Sequence, residues 1–257
     1  MINRNISAAI DHCARAVLNS DSHDLPLGAR QWIWTCLGIK DRIRGIASVG
    51  HYRRYRLARC SVGKIIPIWL TKYPDAKLIE DMIASSQKIM ERAISLDEGI
   101  RQFEKYQFLE GSLPTPKGDY AHARANAVAL VASRLVFTAI YDEEFDEESI
   151  NVSLSNRTLD GFTYDVALGA CCVYANGAEG NRDSDPMRRR EFWLWWLKEA
   201  ASTNELQLTA MAQIPASPLA KSQRDHEQIE AQQSTFDLKS EPHEPTIAPV
   251  VPKKNKR

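Results

Sequence analysis

The sequence predicts an all-α fold: a single multi-helix globular domain over residues 1–214 and a disordered, Pro-rich polar tail over residues 215–257. Apolar residues recur three and four positions apart in one segment after another, which is the spacing of a buried helix face. Strand-like alternation is confined to residues 151–154, which is too short to build a sheet. Half of the twelve prolines lie at or after Pro215, where aromatic residues nearly vanish and the chain cannot bury enough surface to order itself.

The N-terminal part of the chain is predicted to form three helices. The first follows an apolar stripe made by Ile6, Ala9, Ile10, Cys13, Ala16 and Val17. A second lies around Ile33 and extends to Ile43, and a third runs from Arg53 to about Lys72. Pro67 lies inside the third, and its ring opposes the carbonyl of Gly63, so a bend is expected there.

Two further helices and their ends are predicted from an apolar stripe and a helix cap. The apolar stripe from Leu78 to Ala93 predicts the fourth helix. Ser95 and Glu98 have the spacing of a capping box, which starts a fifth helix that should stop near Gly111 and Pro114.

The last three helices are predicted in the same way. Asp119 can cap a central helix whose many small apolar residues allow a neighbouring helix to approach closely. Another helix should follow Thr163 and end at Asn176-Gly177, where glycine is typical of a helix terminus. The last should begin at Asp185-Pro186 and run to about Ala201, with aspartate as the cap and proline in the first helical position.

Composition limits the classes of function and the location. Lysine plus arginine number 33, and aspartate plus glutamate also number 33, so nothing favours nucleic acid or an anionic membrane as a partner. The five cysteines form no Cys-x-x-Cys pair, which is typical of a reducing compartment. No signal-peptide segment is found, and no apolar stretch reaches the ~20 residues that a membrane span needs. We therefore expect a cytoplasmic protein.

A group of arginines is the strongest candidate for a binding surface. Arg53, Arg56 and Arg59 are three apart, which places them along one face of a helix, with Arg54 beside them. Such a ridge can grip carboxylates or phosphates. The alternative is that one arginine pairs internally with an acidic residue while the others form a solvated face.

An acidic run follows the central helix and comprises Asp142, Glu143, Glu144, Asp146, Glu147 and Glu148. We expect it in a loop, because acidic charges at a helical C-terminus oppose the helix dipole. It could present a negative surface to a basic partner or be plain solvated charge. A calcium site is disfavoured, since the spacing is not that of an EF-hand loop.

Aromatic residues and one aspartate complete the candidates. Phe192, Trp193, Trp195 and Trp196 cover more than one helix face, so core packing is the default and a partner-binding anchor at Trp193 or Trp196 is the alternative. Asp165 is a candidate buried acid. The histidines are dispersed and no phosphate-binding loop is found, so we predict no catalytic residue, no metal and no cofactor.

Four segments, in order, resemble a known family: RRYRLA continuing to KIIPIW (residues 53–58 and 64–69), AIYDEEFD (139–146), DVA (165–167) and RREFWLWWL (189–197). They resemble the all-α immunity proteins of bacterial polymorphic toxin systems, specifically the fifth-numbered family, over roughly residues 25–201. The resemblance implies an all-helical, non-catalytic protein that binds and blocks a cognate toxin domain. It also implies a functional arginine in a helix, matched here by Arg56 or Arg59.

Two other classes of function remain open at this point. A helical scaffold or regulator of a host protein would equally lack catalytic residues. A helical enzyme would bring Arg53, Arg56, Arg59 and Asp165 together in one cavity. If the partner is a toxin with nuclease activity, the acidic run from Asp142 to Glu148 could mimic its substrate. The identity of the toxin and the oligomeric state are not predicted.

Overall fold

The computed structural model describes residues 5–40, 47–146, 150–156 and 164–205, and in these ranges it contains eight helices and no strand. The all-α prediction is therefore confirmed for the described chain. Ile43, Glu147, Glu148 and the predicted tail lie outside it. The helices are α1 Ile6–Asn19, α2 Leu27–Cys36, α3 Val49–Trp69, α4 Lys77–Met90, α5 Leu96–Gly111, α6 Tyr120–Tyr141, α7 Val166–Tyr174 and α8 Pro186–Glu205.

Helix starts follow side-chain caps. The Ser95 side chain accepts a hydrogen bond from the backbone of Glu98 at the start of α5, and Asp119 does the same for His122 at the start of α6. Both caps were predicted from the sequence. In contrast, α3 begins four residues before the predicted start at Arg53, because Ser48 caps it through the backbone N–H of His51. A serine cap satisfies a helical N–H that has no partner inside the helix.

Helix α6 is the centre of the domain, as predicted, and packs against α3, α4, α5 and α7. Its small side chains allow these neighbours to come close. A Cβ atom added to Gly169 of α7 would lie 2.9 Å from a methyl group of Val131 on α6, so only glycine fits this contact. The remaining long helix, α8, packs against α1, α3 and α7.

The apolar length of α6 corrects one expectation. By length and composition alone, Tyr120–Tyr141 could cross a membrane, and 61% of an apolar 18-residue stretch within it is buried inside the protein. The sequence had been expected to contain no such stretch. The discrepancy arises because alanines and valines interrupted by only two arginines, Arg124 and Arg134, still give a high mean hydropathy. A mostly buried core helix can have the same length and composition as a membrane-spanning helix.

The last turn of α3 contains Pro67, and the helix ends at Trp69. Proline removes one backbone donor, and near the end of a helix this is tolerated because the following residues reach back with their own N–H groups. The N–H of Leu70 donates to the carbonyl of Ile66 over 3.2 Å. The bend at Pro67 stays a prediction.

The aromatic segment of α8 belongs to the core. Phe192, Trp193 and Trp196 are each 0% exposed, whereas Trp195 is partly exposed. The default interpretation of core packing therefore describes this segment. Because Trp193 and Trp196 are fully buried in the unbound domain, neither ring is presented at its surface. Their role as partner-binding anchors stays a prediction.

Candidate functional site

A buried ion pair fastens the C-terminal end of α6 to α3. Arg54 Nε donates to Asp142 Oδ1 over 2.8 Å, and Arg54 Nη2 donates to Asp142 Oδ2 over 2.5 Å. The two side chains are 0% and 4% exposed. This two-point geometry is the strongest arrangement that an arginine and a carboxylate form.

Arg54 also closes the end of α2. Its Nη1 donates to the carbonyls of Trp34 over 3.1 Å and Gly38 over 2.6 Å. Carbonyls at the end of a helix lack partners inside it, and here a side chain from another helix supplies them. The guanidinium lies 5.3 Å from the ring of Phe145, which covers it from the loop after α6.

Asp142 itself sits in an unusual backbone conformation, with φ 66° and ψ −179°. Non-glycine residues pay about 1–3 kcal/mol in such a region and stay there only when the surroundings hold them. Burial opposes ionisation of Asp142, but the hydrogen bonds and positive charge of Arg54 outweigh it and lower the pKa of Asp142. The charge pair therefore holds the strained residue in place.

A second buried ion pair joins α2 to the start of α7. Arg30 Nε and Nη2 both donate to Asp165 Oδ2, over 2.9 Å and 2.6 Å. The side chains are 0% and 6% exposed. The other oxygen of Asp165 caps α7 by accepting from the backbone of Leu168 over 2.8 Å. Asp165 is thus a buried acid, as predicted, with a structural role on both of its oxygens.

The Arg30–Asp165 pair is part of a larger buried network of hydrogen bonds. Arg30 Nη1 donates to Asn156 Oδ1 over 2.7 Å, Asn156 Nδ2 donates to Asp24 Oδ2 over 2.8 Å, and Trp193 Nε1 donates to Asp24 Oδ1 over 2.8 Å. This network connects α2, the segment 150–156 and α8. Fully satisfied networks of this kind fix one packing arrangement.

Glu143 lies between the two ion pairs and has a different character. It is 6% exposed. Burial raises the pKa of Glu143 well above its ordinary value, and the nearby negative charges of Asp165 and Asp142 raise it further, against the positive charges of Arg54 and Arg30. Two adjacent acids therefore have opposite properties: Asp142 is stabilised as a carboxylate, while Glu143 is favoured as the neutral acid.

The expectation that the whole acidic run is solvated was wrong. It does leave the helix after Tyr141, as expected, but Asp142 and Glu143 point inward and are buried, and only Glu144 and Asp146 of the described residues are exposed. The reason is that Asp142 pairs inside the domain with Arg54, which is 88 residues away in the sequence. No local sequence pattern indicates this pairing. A continuous solvated surface that includes all of these carboxylates is not formed.

The arginines of α3 separate in the same way. Arg56 and Arg59 are exposed, Arg54 is fully buried, and Arg53 is partly buried with Nη1 donating to the Leu37 carbonyl over 3.3 Å. One arginine paired internally beside a solvated face is the arrangement found. Arg53, Arg56 and Arg59 line neither of the two cavities described below, so the convergence required by the enzyme alternative is not seen there.

Two cavities lie beside the ion pairs. A groove of about 870 Å³ runs along α6 between α5 and α7 and is lined mainly by apolar groups, among them Leu130, Val131 and Phe137. A smaller cavity of about 140 Å³ lies at the C-terminal end of α6 and is lined by Asp142, Glu143, Glu144 and Asp165 together with Trp34, Phe137, Tyr164 and Arg134. Among the described residues, no group of three or more His, Cys, Asp or Glu is placed to hold a metal ion.

Sequence reasoning missed Arg30, Asp24 and Asn156. A signal for Arg30 was present, because it lies three residues after Leu27 and four before Trp34, on the face that α2 buries. A charged residue on an apolar helix face predicts a buried partner. Nothing local could identify that partner, since Asp165 is 135 residues away.

Comparisons with known proteins identify a family for this chain. Among curated proteins, no sequence matches this chain. The family described as "Immunity protein Imm5" matches residues 10–203, a range that includes both buried ion pairs, Glu143 and the aromatic segment of α8. Because the match covers most of the chain, the protein belongs to the Imm5 immunity protein family.

Proposed function

We propose that this chain is a cytoplasmic, non-catalytic immunity protein that binds a cognate bacterial toxin domain and neutralises it. The observation that carries the proposal is the family match over residues 10–203. Binding to a toxin is what an immunity protein does as a class, and the toxin itself is identified by experiment.

The non-catalytic part of the proposal is supported by the state of the candidate nucleophiles. Burial raises the pKa of Cys13 and of Cys172 to about 12, and it also raises the pKa of Cys171 and Cys60. A thiol acts as a nucleophile only as the thiolate. These cysteines are therefore packing residues at neutral pH.

The ion pairs support the binding part. Arg54 and Arg30 donate hydrogen bonds to Asp142, Asp165 and backbone carbonyls. They therefore hold helices together rather than contact a substrate. A domain stabilised in this way presents a preformed surface, and preformed surfaces lose less conformational entropy on binding.

The proposal is tested by co-expression with the products of neighbouring genes. The tagged full chain is purified from its own cells, and any bound protein is identified by mass. The expected result is a stoichiometric partner that arrests growth when expressed alone and loses that effect when this chain is present. A neighbouring product that is harmless alone, together with no captured partner, contradicts the proposal and favours the scaffold alternative.

A further inference from the structure

The small cavity at the C-terminal end of α6 is lined by the nearly buried side chain of Glu143. Asp142 and Asp165 on its wall are neutralised by Arg54 and Arg30. Glu143 is 6% exposed and also lines the cavity, yet its carboxyl takes part in no hydrogen bond among the described residues. Because Glu143 lines the cavity, a donor that enters the cavity can hydrogen-bond to its carboxyl group.

We propose that this cavity receives the guanidinium group of an arginine side chain carried by the toxin. The inference rests on the proposed function and names the chemistry by which one part of the partner is recognised.

The charges on the wall favour a cation. Once the two ion pairs are set aside, the carboxyl groups of Glu143 and Glu144 face one lining guanidinium, that of Arg134. With Glu143 in the neutral form that its surroundings favour, Glu144 and Arg134 balance each other, and ionisation of Glu143 on binding leaves the cavity one negative charge in excess. An incoming cation removes this excess and supplies donors to Glu143.

The size and the aromatic walls favour an arginine over a metal ion or a lysine. A volume of about 140 Å³ corresponds to between four and five waters at roughly 30 Å³ each, which is the size range of a planar guanidinium. The rings of Trp34, Phe137 and Tyr164 line the cavity. Guanidinium groups stack on aromatic rings and are more weakly hydrated than the ammonium group of lysine.

The protein already contains one example of this stacking on the same wall. The guanidinium of Arg134 lies 5.2 Å from the ring centroid of Phe137. Within the described ranges, on the other hand, the carboxyl groups form no cluster that could hold a metal ion. The cavity is therefore built for an extended organic cation.

The ionisation of Glu143 adds a second, measurable property. In the unbound protein, burial and the neighbouring acids raise the pKa of Glu143 well above its ordinary value, which favours the neutral acid. A cation next to it stabilises the carboxylate, and binding should therefore release a proton and become tighter as the pH rises. The charged or titratable groups that face Glu143 or line the cavity are Asp142, Glu144, Asp165, Arg30, Arg54, Arg134 and Tyr164.

The first experiment uses the full chain and a small probe, so it needs no toxin. Carboxyl resonances of labelled glutamate are followed by NMR during addition of L-arginine amide, with L-citrulline amide, whose side chain is an uncharged analogue of the same shape, as the comparison. We expect saturable shifts at Glu143 and a fall in its pKa with the arginine probe, and no comparable response to citrulline. An equal response to both probes, or an equal response to Mg²⁺ alone, overturns the proposal.

Two variants provide the controls. Glu143→Gln keeps the shape of the neutral acid and should fold normally, yet it should abolish the response of the cavity, followed at Glu144, to arginine amide. Glu104→Gln makes the same change at an exposed position of α5, away from the cavity, and should leave the response intact. A Glu143→Gln protein that still responds to the arginine probe contradicts the assignment.

The second experiment measures affinity for the captured toxin. Loss of one member of a buried charge pair at an interface weakens binding by roughly 30-fold or more, so Glu143→Gln should show at least this loss with an unchanged unfolding midpoint. If the wild-type chain and Glu143→Gln bind the toxin equally, the inference is wrong and the proposed function stands. If the wild-type chain binds no toxin, the proposed function fails, and the probe result still decides whether the cavity takes a guanidinium.

Discussion

Each end of α6 has an aspartate, but one is stabilised by local contacts and the other by a distant residue. At the N-terminal end, Asp119 is partly exposed and caps the helix by local hydrogen bonds to His122. At the C-terminal end, Asp142 is 4% exposed and pairs with Arg54, which is 88 residues away. A negative charge is favourable at the first end and unfavourable at the second because of the helix dipole. The second aspartate therefore depends on a tertiary partner, and the first does not.

The largest expected effect comes from removing the Arg54 pair. Asp142→Ala leaves a buried guanidinium without its counter-charge, which costs about 3–5 kcal/mol, and urea unfolding followed by circular dichroism measures this loss. Arg54→Ala should cost a similar amount. The double variant should be less unstable than the sum of the single losses, because the two side chains interact.

The backbone at Asp142 offers a matched control for this effect. Asp142→Gly removes the same carboxylate but accepts the positive φ of 66° without strain. It should therefore be more stable than Asp142→Ala by about 1–3 kcal/mol. Equal stabilities would show that the conformation at this position carries no strain.

Asp165 both caps a helix and forms a buried ion pair, so substitutions at this residue can separate the two contributions to stability. Its Oδ2 pairs with Arg30 and its Oδ1 caps α7. Asp165→Asn keeps a capping oxygen but removes the charge, whereas Asp165→Ala removes both. The alanine variant should be less stable than the asparagine variant by about 1 kcal/mol, the usual contribution of a helix cap. If the asparagine variant matches the wild type in urea unfolding, the buried charge pair contributes nothing.

A smaller effect, dependent on pH, is expected at Asp119. Hydrogen bonds from the backbone and ring of His122, with the charge of Lys72, lower its pKa from 3.8 to about 2. A lowered pKa contributes stability that is fully present above the unfolded value of 3.8 and is lost as the pH falls through about 2. Asp119→Asn should therefore melt below the wild type at neutral pH, and the difference should close toward about pH 2. A difference that is independent of pH would mean that the charge has no part in the cap.

The smallest effect is expected at the exposed arginines of α3. Arg56→Ala and Arg59→Ala should change stability by no more than about 0.5 kcal/mol, as is usual for surface positions. Their effect on toxin affinity is a separate question, because the family resemblance assigns the functional arginine to one of them. A large loss of stability in either variant would show a structural role that their exposure does not indicate.

The sequence predicted what local physics determines. Ser95 and Asp119 were identified as caps because a cap needs only residues three positions apart. The stripe through Ala9, Cys13 and Val17 predicted α1, and these residues are fully buried. The order of the helices and the central position of α6 follow from patterns of the same kind.

The candidate site was less accessible, since it depends on contacts between distant segments. Asp142 and Glu143 follow each other in an acidic run, and nothing in that run shows that one pairs with Arg54 while the other stays alone. Arg30 and Asp165 likewise meet only in the folded chain. Charge patterns in a sequence show where charges are, but burial and pairing decide what they do.

The different roles of Asp142 and Glu143, the two adjacent acids at the end of α6, can be measured through their ionisation. Side-chain carboxyl resonances of Asp142 and Glu143 can be followed by NMR as a function of pH in the full chain. We expect Asp142 to titrate below its ordinary pKa of 3.8 and Glu143 to titrate well above its ordinary pKa of 4.5. Stability should accordingly fall at low pH as Asp142 is protonated, and fall again as the pH rises through the raised pKa of Glu143. If both acids titrate together near their ordinary values, the division of this acidic segment into a structural charge and a free binding group is contradicted.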